Sequence, residues 1–107
     1  MRIWVLGAIL LAGCAHDLGS TEDQLMRMIE QSVALPEGAA PLSRYRRHYA
    51  WASGDPQAVE AVYTLGGKPD RLWLSADDLP IVLDGGCSVV TFKFEVARKT
   101  ATNVRCN

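Results

Sequence analysis

Ser88-Val89-Val90-Thr91-Phe92-Lys93-Phe94 carries the strongest strand signature in the chain. Val90, Phe92 and Phe94 share one parity while Val89, Thr91 and Lys93 share the other, and successive side chains of a strand point to opposite faces. One face is therefore apolar and demands a core, which predicts the central strand of a sheet. Downstream, Ala97-Arg98-Lys99 supplies a polar turn, and residues 100–106 can return antiparallel. A turn centred near residues 96 and 97 sets Cys87 opposite Cys106, within cross-strand range.

Working upstream, Tyr45-Arg46-Arg47-His48-Tyr49-Ala50-Trp51 alternates so that Tyr45, Tyr49 and Trp51 fall on one face with Arg47 between them. Ser53-Gly54-Asp55-Pro56 signals a turn, and residues 58–65 alternate again, with Val59, Ala61, Tyr63 and Leu65 against Glu60, Val62 and Thr64. The two runs predict a hairpin. Gly66-Gly67-Lys68-Pro69-Asp70 breaks the pattern, residues 71–75 predict a short strand around Trp73, and Asp77-Asp78-Leu79-Pro80 opens a loop that ends at Asp84-Gly85-Gly86. Ahead of all this, Ser20 or Thr21 caps a helix of about 13 residues with Glu22 and Asp23 in its first turn. Leu25, Met28, Ile29, Ser32 and Val33 form its inward stripe, with Arg27, Glu30 and Gln31 facing water, and Leu35-Pro36-Glu37-Gly38 ends it. The stripe lacks the Lys/Arg-rich polar face and aromatic anchors of a membrane-surface helix, so it packs on its own domain. The expected fold is α+β: one N-terminal helix on an antiparallel sheet of about four strands, closed by a C-terminal disulfide-bonded hairpin.

The N-terminus has different grammar. Arg2 precedes an apolar stretch from residue 3 to residue 11, and small residues lead to a cysteine, which is signal-peptide organisation. The stretch is shorter than the roughly 20 apolar residues a spanning helix needs. Leu11-Ala12-Gly13-Cys14 resembles the lipobox of bacterial lipoproteins, whose cysteine is acylated and becomes the first residue of the mature chain. The resemblance implies a signal peptide at residues 1–13, a lipidated tether at 14–19 and a single domain at 20–107. It also implies a membrane partner, because two or more acyl chains anchor stably where one does not. Ala15 follows the cysteine, where an aspartate favours inner-membrane retention in lipoproteins resembling those of enteric bacteria, so the expected location is the outer membrane, facing the periplasm. The mature 94 residues carry 10 Lys and Arg against 12 Asp and Glu, a formal charge of −2. With Cys14 assigned to lipid, Cys87 and Cys106 are the remaining cysteines, and in an oxidising compartment they are expected to pair. Closing that loop contributes about 3 kcal/mol in the chain-entropy model.

The chain carries few residues in patterns that do chemistry. The chain contains no Gly-rich phosphate loop, no Gly-x-Ser-x-Gly, no His-Glu-x-x-His and no Cys-x-x-Cys, and its only histidines are His16 and His48. A non-enzymatic protein without metal or cofactor is expected. Asp77 and Asp78 with Asp84 are adjacent acids on a loop, a pattern that usually marks turns and caps. Arg44, Arg46 and Arg47, interleaved with Tyr45, Tyr49 and Trp51, form the expected partner surface, since Arg, Tyr and Trp anchor interfaces. A mildly acidic, exported chain is a poor nucleic-acid binder, which leaves an envelope protein, an anionic envelope polymer or a lipid headgroup as partner.

Across the mature domain, the Tyr-rich first hairpin, Asp84-Gly85-Gly86-Cys87-Ser88-Val89-Val90 and the terminal Cys106-Asn107 resemble small uncharacterised lipoproteins of alphaproteobacterial type, a group that implies no activity. Leu65-Gly66-Gly67-Lys68-Pro69-Asp70 is similar to a segment of small lipoproteins accessory to outer-membrane barrel assembly, where it joins two helices instead of following a strand. Small disulfide-bearing lipoproteins that inhibit lysozyme share the size and anchor. Their Ser-Gly-x-x-Tyr loop is absent, since Ser53-Gly54 runs into Asp55-Pro56-Gln57. The two functions these observations leave are a binding or structural module of the envelope and an inhibitor of a periplasmic or host hydrolase acting through the loop of residues 77–86.

Overall fold

In a computed structural model that describes residues 20–107, the first element begins where the sequence supplies a cap. Ser20 Oγ accepts the Asp23 N–H at 3.1 Å, and helix α1 runs Thr21–Ser32 with Glu22 and Asp23 at its positive end. Leu25, Met26 and Ile29 are buried against the sheet, with Met28 and Val33 packed beside them. Cys14, the signal segment 1–13 and the tether 14–19 lie outside the described residues.

Five strands follow: β1 Arg46–Ala52, β2 Asp55–Thr64, β3 Arg71–Trp73, β4 Val89–Glu95 and β5 Thr100–Cys106. They form one sheet in the order β3-β1-β2-β4-β5. The expected class holds, but the sheet has five strands, not four, and is mixed, because β3 runs parallel to β1. The reason lies in the hairpin. Antiparallel pairing sets Thr64, the end of β2, opposite Arg46, the start of β1, so the chain re-emerges beside the beginning of β1. The loop through Gly66 and Gly67 then passes across Arg46, whose guanidinium donates to the Lys68 carbonyl at 3.2 Å, and β3 sets off in the direction of β1. Arg47 N–H donates to Asp70 O at 2.8 Å and Leu74 N–H to Tyr49 O at 2.7 Å, which fixes the parallel register. This added strand also moves the centre of the sheet to β2, leaving β4 one place off centre.

The first hairpin turns more tightly than the sequence suggests. Ala52 pairs with Asp55 across Ser53-Gly54, with Gly54 at φ 79°, so Asp55 and Pro56 already belong to β2. The C-terminal hairpin departs further from expectation. Glu95 faces Thr100 and Val90 faces Cys106, so Cys87 does not oppose Cys106 in the ladder. Two features shift the register. The turn occupies residues 96–99 with Lys99 at φ 52°, and a bulge at residues 103 and 104, with Asn103 at φ 55°, sets two residues of β5 against Phe92. Cys87 instead lies in the 3₁₀ turn Gly86–Ser88, which folds the chain back so that the Cys87–Cys106 disulfide closes at a Cα separation of 4.5 Å.

Strand parity assigns the faces as the alternation implies. Tyr45, Tyr49, Val59, Ala61, Tyr63, Val90, Phe92 and Phe94 join Leu25, Met26 and Ile29 in one core between helix and sheet. Tyr63 meets Tyr49 and Phe92 edge-on at 5.8 and 5.2 Å, and each such pair contributes about 0.5–1.5 kcal/mol beyond its buried area.

Candidate functional site

The helix-facing parity of β1 carries a charge inward. Arg47 lies between Tyr45 and Tyr49, so its side chain enters the core side of the sheet, where it is 11% exposed. A guanidinium there needs a counter-charge. Glu30 supplies it. Glu30 stands one helical turn after Met26 and beside Ile29, on the edge of the buried arc, and its carboxylate is 9% exposed instead of facing water as the sequence suggests.

Three side chains converge on Glu30 with four donors. Arg71, the first residue of β3, donates from Nε to Oε2 at 3.1 Å and from Nη2 to Oε1 at 2.6 Å, a bidentate fork. Arg47 Nη1 approaches Oε1 at 3.4 Å, and Tyr49 donates its hydroxyl to Oε2 at 2.8 Å. Because the one Tyr49 proton is committed to the carboxylate, the 2.7 Å contact with Tyr63 has Tyr63 donating to Tyr49. Burial pushes both phenols well above the usual tyrosine range; at Tyr49 the neighbouring Tyr63 and Glu30 add to the effect. Its bonds to Glu30 hold the Arg71 guanidinium more firmly protonated. Arg47 Nε alone is buried without a partner among the described residues. Chemically the cluster is a clamp: one carboxylate fastens α1 to β1 and β3, and its hydroxyls stay protonated at neutral pH.

Aromatic rings extend the clamp to the sheet edge. Trp73 stacks on Tyr49 at 6.5 Å, and Trp51, 40% exposed, meets Trp73 edge-on at 5.5 Å. Arg44, Arg46 and Arg47 do not share a surface. Arg44 is exposed in the 3₁₀ turn Leu42–Arg44, Arg46 is held by the Lys68 carbonyl, and Arg47 points to the opposite face from Arg46. Tyr45 is consumed too, accepting the Ala40 N–H at 3.1 Å and donating to Cys87 O at 2.6 Å. His48 is buried on the face away from the helix, where its Nδ1–H donates to Val62 O at 2.8 Å. On that face two shallow grooves of about 330 and 220 Å³ share Val62, Thr91 and Arg105.

The loop between β3 and β4 is built the other way round. Asp77 and Asp78 sit in the 3₁₀ turn Ala76–Asp78, with Ser75 Oγ donating to Asp78 Oδ2 at 3.0 Å. Beyond Pro80, Ile81 is 90% and Leu83 80% exposed. Val82 between them is partly covered, and its carbonyl accepts from the side-chain amide of Asn107. Gly85 packs the base of the loop so closely that a Cβ there would fall 2.5 Å from Val89 Cγ2, and Asp84 takes a left-handed φ of 59°. Among the described residues no group of His, Cys, Asp or Glu is arranged to hold a metal ion, and no helix is long and apolar enough to cross a membrane. No protein-family model matches the chain, and no curated protein or solved structure is detectably similar to it.

Sequence reasoning missed Glu30 and the two exposed apolar side chains. Glu30 was discoverable from Arg47, because an arginine on the inward parity requires an acid from an apposed element. Ile81 and Leu83 carry no periodic signal of their own.

Proposed function

We propose that this chain is a membrane-anchored lipoprotein of the cell envelope, acylated on Cys14 and facing the periplasm, which acts by binding and not by catalysis. The carrying observation is how nearly the Glu30 cluster satisfies its own hydrogen bonds. Glu30, Arg47, Arg71, Tyr49 and Tyr63 are spent on one another, which supports a structural role for the groups best placed to do chemistry. Arg44 and Arg46 stay at the surface, and the loop of residues 77–86 faces outward. No cofactor or nucleic acid has a part in this reading.

Mass spectrometry of the protein from its native membranes tests it. The expected result is an acylated Cys14 at the mature N-terminus, with membrane release of a Cys14→Ser form that still folds. An unmodified N-terminus overturns the anchored reading. A second reading, inhibition of a periplasmic or host hydrolase, is favoured by Ile81 and Leu83 standing free on a braced loop. Adding the Cys14→Ser protein to a panel of wall hydrolases should then abolish one activity, and an unaffected panel removes it.

A further inference from the structure

Two large apolar side chains stand almost wholly in water at residues 81 and 83, while the residue between them is tucked in. That alternation is the habit of an extended chain, in which residues two apart project to one side roughly 7 Å from each other. The segment is braced at several points: the 3₁₀ turn and Ser75–Asp78 bond before it, the Asn107 side chain on the Val82 carbonyl, and the close packing of Gly85 on Val89. Immediately behind it, Cys87 is tied to Cys106. A rigid loop loses little conformational entropy on docking, so its two side chains can contribute their burial almost undiminished. The charge carried by the loop itself is of one sign. Residues 75–86 contain Asp77, Asp78 and Asp84 and no Lys or Arg; Arg105 is the cation that borders the groove beneath the loop.

We infer that residues 80–83 form a preformed recognition loop for a cationic protein, one offering two adjacent apolar pockets rimmed by Lys or Arg. The inference rests on the binding reading above and names its partner by chemistry. A lipid surface fits less well, because the anionic face of a bilayer repels three aspartates and the loop has no Trp, Tyr or Lys to sit at the interface.

The test places a photo-crosslinking phenylalanine derivative at position 81, 83 or 44 of the full chain in its native membranes. The expected result is crosslinking from 81 and 83 to one basic protein. Its yield should fall roughly tenfold or more when the other apolar side chain is changed to Ser. Rising salt, or Asp77→Asn with Asp84→Asn, should weaken it too, since rim charges act through association rate and screening. Unchanged urea unfolding and an intact disulfide in each variant exclude misfolding. Crosslinks to lipid alone, to an acidic protein, or at a yield insensitive to the aspartates overturn the inference. Crosslinks to protein from 44 but not from 81 or 83 overturn it while leaving the binding reading in place, and none from any position overturns both.

Discussion

The Glu30 cluster and the loop at residues 77–86 each invert the rule of apolar inside and polar outside, and they do so with opposite consequences. At Glu30 a carboxylate and two guanidiniums are drawn toward the core, yet almost every donor and acceptor is answered within the molecule. At Ile81 and Leu83 apolar surface is turned to water and nothing among the described residues covers it. A protein that compensates an inverted group internally uses it for its own structure, whereas an uncompensated one stays open to contact from outside the described domain. The comparison makes two demands: changes at the cluster must affect stability, and changes on the loop must not.

The largest effect is expected at Glu30. Glu30→Ala leaves Arg47 buried with no anion and releases Arg71 of β3 from α1, so urea unfolding should show a loss of about 3–5 kcal/mol, the cost of removing one partner of a buried ion pair. A loss below about 1 kcal/mol would mean that water reaches the cluster and the contrast with the loop is false. Replacing Glu30, Arg47 and Arg71 together by apolar residues of similar size should recover much of the loss, because no charge is then stranded.

Next comes the staple. Cys87→Ser with Cys106→Ser opens a loop closed by a 19-residue separation and should cost about 3 kcal/mol, read from urea midpoints, with reductant giving the parent protein the same shift. The disulfide stands directly behind the exposed loop. Its removal should also quicken amide hydrogen exchange at residues 80–86 while leaving β1 and β2 protected.

The face assignments were legible in the sequence wherever two adjacent strands alternated, as in Tyr45-Tyr49 against Val59-Ala61-Tyr63, because a period of two needs only composition to be read. The helix start at Ser20 was legible for a similar reason: a cap and its acids are local. What escaped was set by three-dimensional return. The parallel β3 depends on where β2 delivers the chain, and the disulfide register depends on a turn at residues 96–99 that falls later than expected, together with a bulge at Asn103 that shifts the ladder by one more residue. Glu30 escaped because a helical position at the edge of the buried arc looks solvated until the partner strand shows an arginine. Of the expected partner surface, Arg44 is exposed and Arg46 half-buried, whereas Arg47 could be assigned only by asking what lies opposite it.

A smaller effect separates the cluster from the loop by pH. Tyr49 and Tyr63 keep their protons in the folded state above the pH at which an unfolded tyrosine, near 10, gives them up. Above that pH the unfolded chain binds fewer protons than the folded one, so stability is fully present below about pH 10 and falls as pH rises, by about 1–2 kcal/mol per pH unit for each phenol. Tyr49→Phe should flatten the alkaline slope of urea unfolding by about half. A slope unchanged by Tyr49→Phe would show that the phenols titrate from the folded state and that the cluster is open.

The smallest effect is the one that decides whether the loop belongs to structure at all. Ile81→Ser with Leu83→Ser removes two of the most exposed large apolar side chains of the described domain, and because they lose no water on folding, stability should change by no more than about 0.5 kcal/mol. The change should even favour solubility, since a contiguous apolar patch is what drives self-association. A destabilisation above about 1 kcal/mol would place the two side chains against protein in the working state, through the residues before 20 or a second copy, and would turn the loop into another internally answered inversion like Glu30. A neutral result, in contrast, leaves Ile81 and Leu83 without a folding role, and the remaining physical reason to display them on so firmly braced a segment is contact with a partner.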